Sequence, residues 1–200
     1  MKKKIVVVVS IVTLALGAGI FTKALQAGKA SAQPAFTLRS RVININPKDG
    51  TQSTLEKVRY VSSGGNWRVV LTNPDGKHAE YFFENGRGFF NVDHVNKVLR
   101  QNPKGAATPP VPMTSEQLRA HPQFVGTTQI FGLTAYILRV KNQQTDLPES
   151  DTYRAVELGN APLKSVLYSQ GVPVVIDEPV SLSFGEPDPP SLKGPDYPVG

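Results

Sequence analysis

The sequence predicts a mainly β protein: a single, strongly curved antiparallel sheet with one or two short helices. Three observations predict it. Eight or nine runs of β-branched and apolar residues follow one another between residues 36 and 184. Turn clusters separate them, among them Asn46-Pro47-Lys48-Asp49-Gly50, Asn73-Pro74-Asp75-Gly76, Asn85-Gly86 and Gln170-Gly171. Helix-start signals are scarce after residue 32, and so many short strands with so little helix imply an antiparallel sheet that bends or closes.

Residues 1–32 read as an N-terminal signal helix. Met1-Lys2-Lys3-Lys4 is a positive start, Ile5 to Phe21 is apolar apart from Ser10 and Thr13, and Ala30-Ser31-Ala32 is a small-x-small cleavage pattern. Cleavage there makes Gln33 the mature start; the alternative is an uncleaved anchor, the chain's one expected membrane contact. The expected location is outside the cytoplasm, in the periplasm, with secretion or inner-membrane anchoring as the other outcomes.

Those residues hold five lysines and no acid, so removing them lowers the net charge from +6 to +1. The basic character is a property of the targeting segment, which argues against nucleic-acid binding by the folded part. The chain has no cysteine. Disulfides, thiolate metal sites and a lipid-modified cysteine are excluded, and the core alone must hold the fold.

Strands are expected at Phe36 to Ile45, Val58 to Val61, Asn66 to Thr72 and Lys77 to Glu84. Asn85-Gly86 is the preferred pair for a two-residue type I′ hairpin turn. Centring the turn there pairs Phe82 with Phe89, Tyr81 with Phe90 and Ala79 with Val92. One face then carries Tyr81, Phe83 and Phe90 and reads as core; Phe82 and Phe89 on the other face need cover from another element or a ligand. Asp93 to Arg100 extends the strand or forms a helical turn or two. Asn102 to Pro112 is a Pro- and Ala-rich linker. Thr114-Ser115-Glu116-Gln117 fits a capping box, starting a helix that Pro122 stops. Thr127 to Val140, Tyr153 to Leu158, Leu163 to Ser169 and Pro173 to Phe184 are further strands. Residues 33–184 thus form one domain, and 185–200 are a Pro-rich C-terminal arm, packed along it or free.

The sequence shows no G-x-S-x-G elbow, P-loop or G-x-G-x-x-G, so no enzyme and no cofactor is expected. His78, His94 and His121 lack a second ligand at helical spacing, and no metal site is expected. The aromatic residues on predicted strands are the remaining signal.

The stretch VRYVSSGGNWRVVLTNPDGKHAEYFFENGRGFFNVDHVNKVL, followed by FGLTAYILRV, TYRAVELGNAPLKSVLYSQG and EPVSLSFGEPD, resembles the outer-membrane lipoprotein carrier (lipoprotein-sorting) superfamily over residues 36–190. Pro162-Leu163-Lys164 is the most recognisable piece. The resemblance implies a half-barrel: one twisted antiparallel sheet around a hydrophobic cavity that carries acyl chains, binds lipids or senses envelope stress. The chain departs from the pattern in having no helix directly before its first strand and a lid reduced to about residues 114–121.

The resulting expectation is an exported, non-enzymatic protein that binds a lipid or lipoprotein acyl chain, with Trp67, Phe82, Phe89, Phe131 and Tyr136 lining the site. The alternative is an envelope scaffold or sensor domain with a packed interior, which binds a protein partner through a sheet edge or the arm.

Overall fold

The computed structural model describes residues 34–101 and 112–200. The expected signal segment and nearly all of the linker lie outside the described residues. Eleven strands form one antiparallel sheet: β1 (Phe36–Ile45), β2 (Gln52–Val61), β3 (Trp67–Thr72), β4 (His78–Glu84), β5 (Gly88–Asp93), β6 (Val98–Gln101), β7 (Phe124–Ile130), β8 (Leu133–Lys141), β9 (Pro148–Ala155), β10 (Pro162–Ser169) and β11 (Val172–Phe184). Two short helices, α1 (Ser115–Arg119) and α2 (Pro189–Leu192), complete it. The mainly β reading holds.

The strand order is β6-β5-β4-β3-β2-β1-β11-β10-β9-β8-β7. The chain runs as a meander out to one edge, resumes at the other edge, and meanders back until β11 pairs with β1. That first-to-last pairing runs from Phe36↔Phe184 to Asn44↔Val175, with a bulge after Arg39.

Four expectations change. The strand expected at Tyr153 to Leu158 spans Pro148–Ala155 instead, and Val156–Leu158 is a 3-10 helix. The strand expected at Val58 to Val61 begins at Gln52, because the ten-residue β1 offers a full-length partner to the polar residues before it. The long run Thr127 to Val140 is a hairpin rather than one strand. Its turn is Phe131-Gly132, with φ of 54° and 77°, and Ile130 pairs with Leu133. Positive φ at both central positions is the type I′ requirement. Asp93 to Arg100 is a turn followed by β6: the Asp93 carboxylate accepts from the backbone N–H of Val95 and Asn96 at 3.1 and 2.9 Å.

The sheet curls toward one face, here called inner. Phe36, Leu38 and Val61 pack there with Leu158 and Leu163 in a fully buried cluster, flanked by Trp67 of β3 and Ile130 and Leu133 of the β7–β8 hairpin. Arg59 on β2 donates from Nη1 to the carbonyl of Pro162 on β10 at 2.8 Å. In a flat sheet those strands would stand about 14 Å apart, too far for one arginine, so the sheet must bend between them. Each large side chain fully buried in this cluster contributes about 1.5–3 kcal/mol.

The capping box at Thr114 forms as expected, with Gln117 N–H donating to Thr114 Oγ1 and Thr114 N–H to Gln117 Oε1. It holds α1 so that Leu118 packs on Tyr136 and Leu138. Among the described residues no helix is long and apolar enough to cross a membrane.

Candidate functional site

The site begins with a register. β4 pairs with β5 as Glu84↔Gly88, Phe83↔Phe89, Phe82↔Phe90 and Glu80↔Val92. This is one residue away from the pairing that a two-residue turn at Asn85-Gly86 predicts. The loop has three residues, Asn85-Gly86-Arg87, and Gly86 (φ 82°) takes a positive φ while Asn85 does not. Because side chains alternate, a slip of one exchanges the faces of every β5 residue. Phe82 therefore meets Phe90 and not Phe89.

The consequence is two separate aromatic groups. On the inner face Trp67, Tyr81, Phe83 and Phe89 form a contiguous set, all half-buried. Trp67 stacks on Phe83 at 6.2 Å between ring centres, meets Phe89 at 5.6 Å, and takes Tyr81 edge-on at 5.8 Å. On the outer face Phe82 and Phe90 stack at 5.2 Å and are fully buried with Leu99. This reverses the expected roles, in which Tyr81 and Phe83 were core and Phe82 lacked cover.

The cover over Phe82 is the chain's own C-terminal arm. Tyr197 packs on the Phe82–Phe90–Leu99 cluster. Leu99 N–H donates to the Pro198 carbonyl at 2.8 Å and Gly200 N–H donates to the Leu99 carbonyl at 3.1 Å, a parallel pairing along β6. Arg68 on β3 donates to the carbonyls of Pro190 and Ser191 at 3.4 and 3.3 Å. The arm thus closes the β6 edge of the sheet. At the opposite end of the order, no strand among the described residues pairs with the outer edge of β7.

Beside the inner aromatic set lies a partly buried ion pair. Lys57 on β2 reaches over β1 to Asp177 on β11, past the small, buried Ser40. Burial pushes the Lys57 ammonium below its ordinary pKa, with help from nearby Arg59, and Asp177 opposes the change. Burial also raises the Tyr81 hydroxyl.

The five residues expected to line one site are dispersed. Trp67 and Phe89 are together. Phe82 is on the opposite face. Phe131 is in the β7–β8 turn, 45% exposed. Tyr136 is buried beneath α1, with the Arg119 guanidinium 5.8 Å from its ring centre. Two concavities flank the sheet: one of about 430 Å³ beside Gln129, Ile130, Tyr153 and Lys164, and one of about 650 Å³ between the β4–β5 loop and the arm. Neither is lined by any of the five.

Sequence reasoning missed a polar cluster on the outer face. His78 and Glu80 of β4 meet His94, which follows β5. The imidazole rings stand 4.3 Å apart, and His94 Nε2 is 3.5 Å from Glu80 Oε2. Helical spacing hides this cluster, whereas in a strand i and i+2 share a face. The slipped register also set His78 opposite Asp93; the observed one, extended from Glu80↔Val92, sets it opposite His94.

No family model matches the chain, and no curated protein sequence matches it. Solved structures do match. The fold is similar to that of MucB. In the complex of MucB with MucA(peri), MucB is 22% identical over 82% of this chain, with a TM-score of 0.50. The chain spans 56% of the MucB chain. An uncharacterized conserved protein from Thermus thermophilus is 14% identical over 82% of this chain and 89% of its own, also with a TM-score of 0.50. A LolA superfamily protein from Nitrosomonas europaea matches 81% of this chain and 91% of its own at 10% identity, with a TM-score of 0.41. The matches thus include MucB and LolA-superfamily and lipoprotein-sorting proteins, over about four fifths of the chain. At these identities the likeness is one of fold.

Proposed function

We propose that the protein is a non-enzymatic, exported module of the cell envelope that binds an extended segment of a protein partner along the open edge of β7. The observation that carries this reading is the asymmetry of the sheet's two edges. The β6 edge is covered by the chain's own arm, while β7 is exposed along most of its length. An uncovered edge offers unpaired backbone N–H and C=O groups to an added strand. Val125 on β7 and Phe131 at its hairpin tip add apolar contacts, being 49% and 45% exposed. Phe131 also holds a left-handed backbone conformation that is costly for an aromatic residue. MucB, of similar fold, was crystallised with the protein MucA(peri). The packed inner cluster fits a partner-binding domain better than an open lipid cavity.

A second reading rests on a different observation. Trp67, Tyr81, Phe83 and Phe89 are contiguous and half-buried, a surface suited to an acyl chain or another apolar ligand.

One paired experiment separates the two. Protein exported in a bacterial host and purified without detergent is examined by native mass spectrometry, and in parallel it captures partners from envelope extracts of its own source. The partner reading expects a mass without lipid, and a captured protein that is lost with Val125→Lys/Phe131→Lys. Extra mass removed by organic extraction and abolished by Phe89→Arg would instead establish the apolar-ligand reading. Capture that is indifferent to the β7 substitutions would overturn the edge proposal.

A further inference from the structure

We infer that His78, Glu80 and His94 form a binding site for a divalent transition metal of the Zn²⁺ class, on the outer face away from the β7 edge. The donor set is two imidazoles and one carboxylate. Such mixed nitrogen and oxygen ligation suits Zn²⁺, Cu²⁺ and Ni²⁺, whereas Ca²⁺ and Mg²⁺ take mostly oxygen ligands.

The geometry is close to that of a tetrahedral site. With metal–ligand bonds of about 2.0–2.1 Å, neighbouring donor atoms stand about 3.3 Å apart. His94 Nε2 and Glu80 Oε2 are at 3.5 Å, and all three donors lie within 4.8 Å of one another. His78 is exposed at the start of β4, so its side chain can turn inward without disturbing the core.

The state of the two inner donors points the same way. Glu80 is a buried carboxylate, 4% exposed. Arg68 Nε donates to its Oε1 at 2.8 Å, which neutralises and orients the group while leaving Oε2 turned to His94. Metal ligands are commonly oriented in this way by a second partner. His94 Nε2 is itself buried and has no hydrogen-bond partner among the described residues. The imidazole nitrogen thus faces the Glu80 carboxylate at 3.5 Å without a hydrogen-bond partner of its own, and an ion between the two would take it as a ligand.

Three protein ligands leave one coordination position for water or a donor from a partner. A bound ion would tie β4 to the turn after β5. It would also stand beside the arm, because the Tyr197 ring meets His94 edge-on at 5.9 Å.

The test is calorimetric titration of Zn²⁺ into metal-free protein carrying no histidine tag, at pH 7.5, with thermal melts beside it. The expected result is one Zn²⁺ per chain and a melting temperature that rises with Zn²⁺. His78→Ala and His94→Ala should each weaken binding at least tenfold and remove the thermal shift. His78→Ala alters an exposed residue and should melt like the parent in EDTA, so that its loss of binding reports the site. His121→Ala should bind normally. No binding at 1 mM Zn²⁺, or binding equally strong in both histidine variants, would overturn the assignment.

Discussion

Gly194 lies so close against the ring of Phe82 that a Cβ at this glycine would fall 2.3 Å from Phe82 Cε1 and 2.6 Å from Cζ. Only glycine lets the arm approach the ring this closely. The contact turns a proline-rich terminus into the cover of the outer aromatic pair.

Gly194→Ala should therefore lower stability by about 1–3 kcal/mol, the usual cost of overpacking. Phe82→Ala alone should cost about 3–5 kcal/mol. The double variant should cost less than the two together, because removing the ring opens the space that the new methyl needs. Urea denaturation midpoints of the four proteins decide this; strict additivity would mean that the arm does not rest on Phe82.

Arg139 and Asp151 are joined by two hydrogen bonds of 2.7 Å each, and Tyr168 Oη donates to the same carboxylate at 2.8 Å. Asp151 is 2% exposed. Arg139→Met should cost about 3–5 kcal/mol, because it leaves a buried charge without its partner.

The same triad sets a pH dependence. Burial alone would raise the Asp151 pKa, but the bonds from Arg139 and Tyr168 prevail and hold it below its ordinary 3.8. Its contribution is present above pH 3.8 and lost as the pH falls through the lower folded-state value. Burial, with the bond to Asp151, pushes Tyr168 up to about 12 from 10.0. That contribution is complete below pH 10 and lost as the pH rises through about 12. Denaturation at fixed urea across these ranges should show Tyr168→Phe losing stability less steeply than the parent on the alkaline side. An unchanged alkaline slope would count against the role given to Tyr168.

At the β4–β5 loop, Gly86→Ala should destabilise by about 1–2 kcal/mol, because φ is 82° there. Asn85→Ala should change stability by less than about 0.5 kcal/mol, as expected of a surface substitution. A type I′ turn would penalise both substitutions. Thermal melts of the two variants distinguish the loops.

Thr114→Ala removes the N-cap of α1 and should cost about 0.5–2 kcal/mol. The loss should be local: amide exchange should speed up in residues 115–120, where Leu118 covers Tyr136, before it does so in β8.

Much of the fold was legible in the sequence. The bounds of β1, the turn clusters, the capping box and the scarcity of helix follow from residue type and spacing, since backbone propensity and local hydrogen bonding act over a few residues. The alternation within β4 was legible too, with Tyr81 and Phe83 on one face and Phe82 on the other. Its partner's register was not. Asn85-Gly86 carries the strongest two-residue signal, yet the type I′ turns stand at Phe131-Gly132 and at Gln170-Gly171, where φ is 51° and 80°.

The candidate sites were legible only in part. Trp67 and Phe89, two of the five residues expected to line a site, do lie together, but the sequence reading pairs Phe89 with Phe82. The strand spacing of His78 and Glu80 was there to be read, whereas His94 joins them only through the β4–β5 register. A packed arm and a need for cover over Phe82 were both among the expectations, but that the one meets the other was not legible, since the contact joins residues 112 positions apart in the chain.

The sequence alone determined that the chain forms strands, where most of them turn, and that no cysteine chemistry is available. The tertiary structure decided which face of the sheet is inner, which edge is closed and which side chains meet. The physical reason is range. Propensities and turn preferences are local terms, while register, curl and edge cover depend on packing and backbone pairing between distant segments. A shift of a single residue in one hairpin redistributes its whole set of side chains between the two faces.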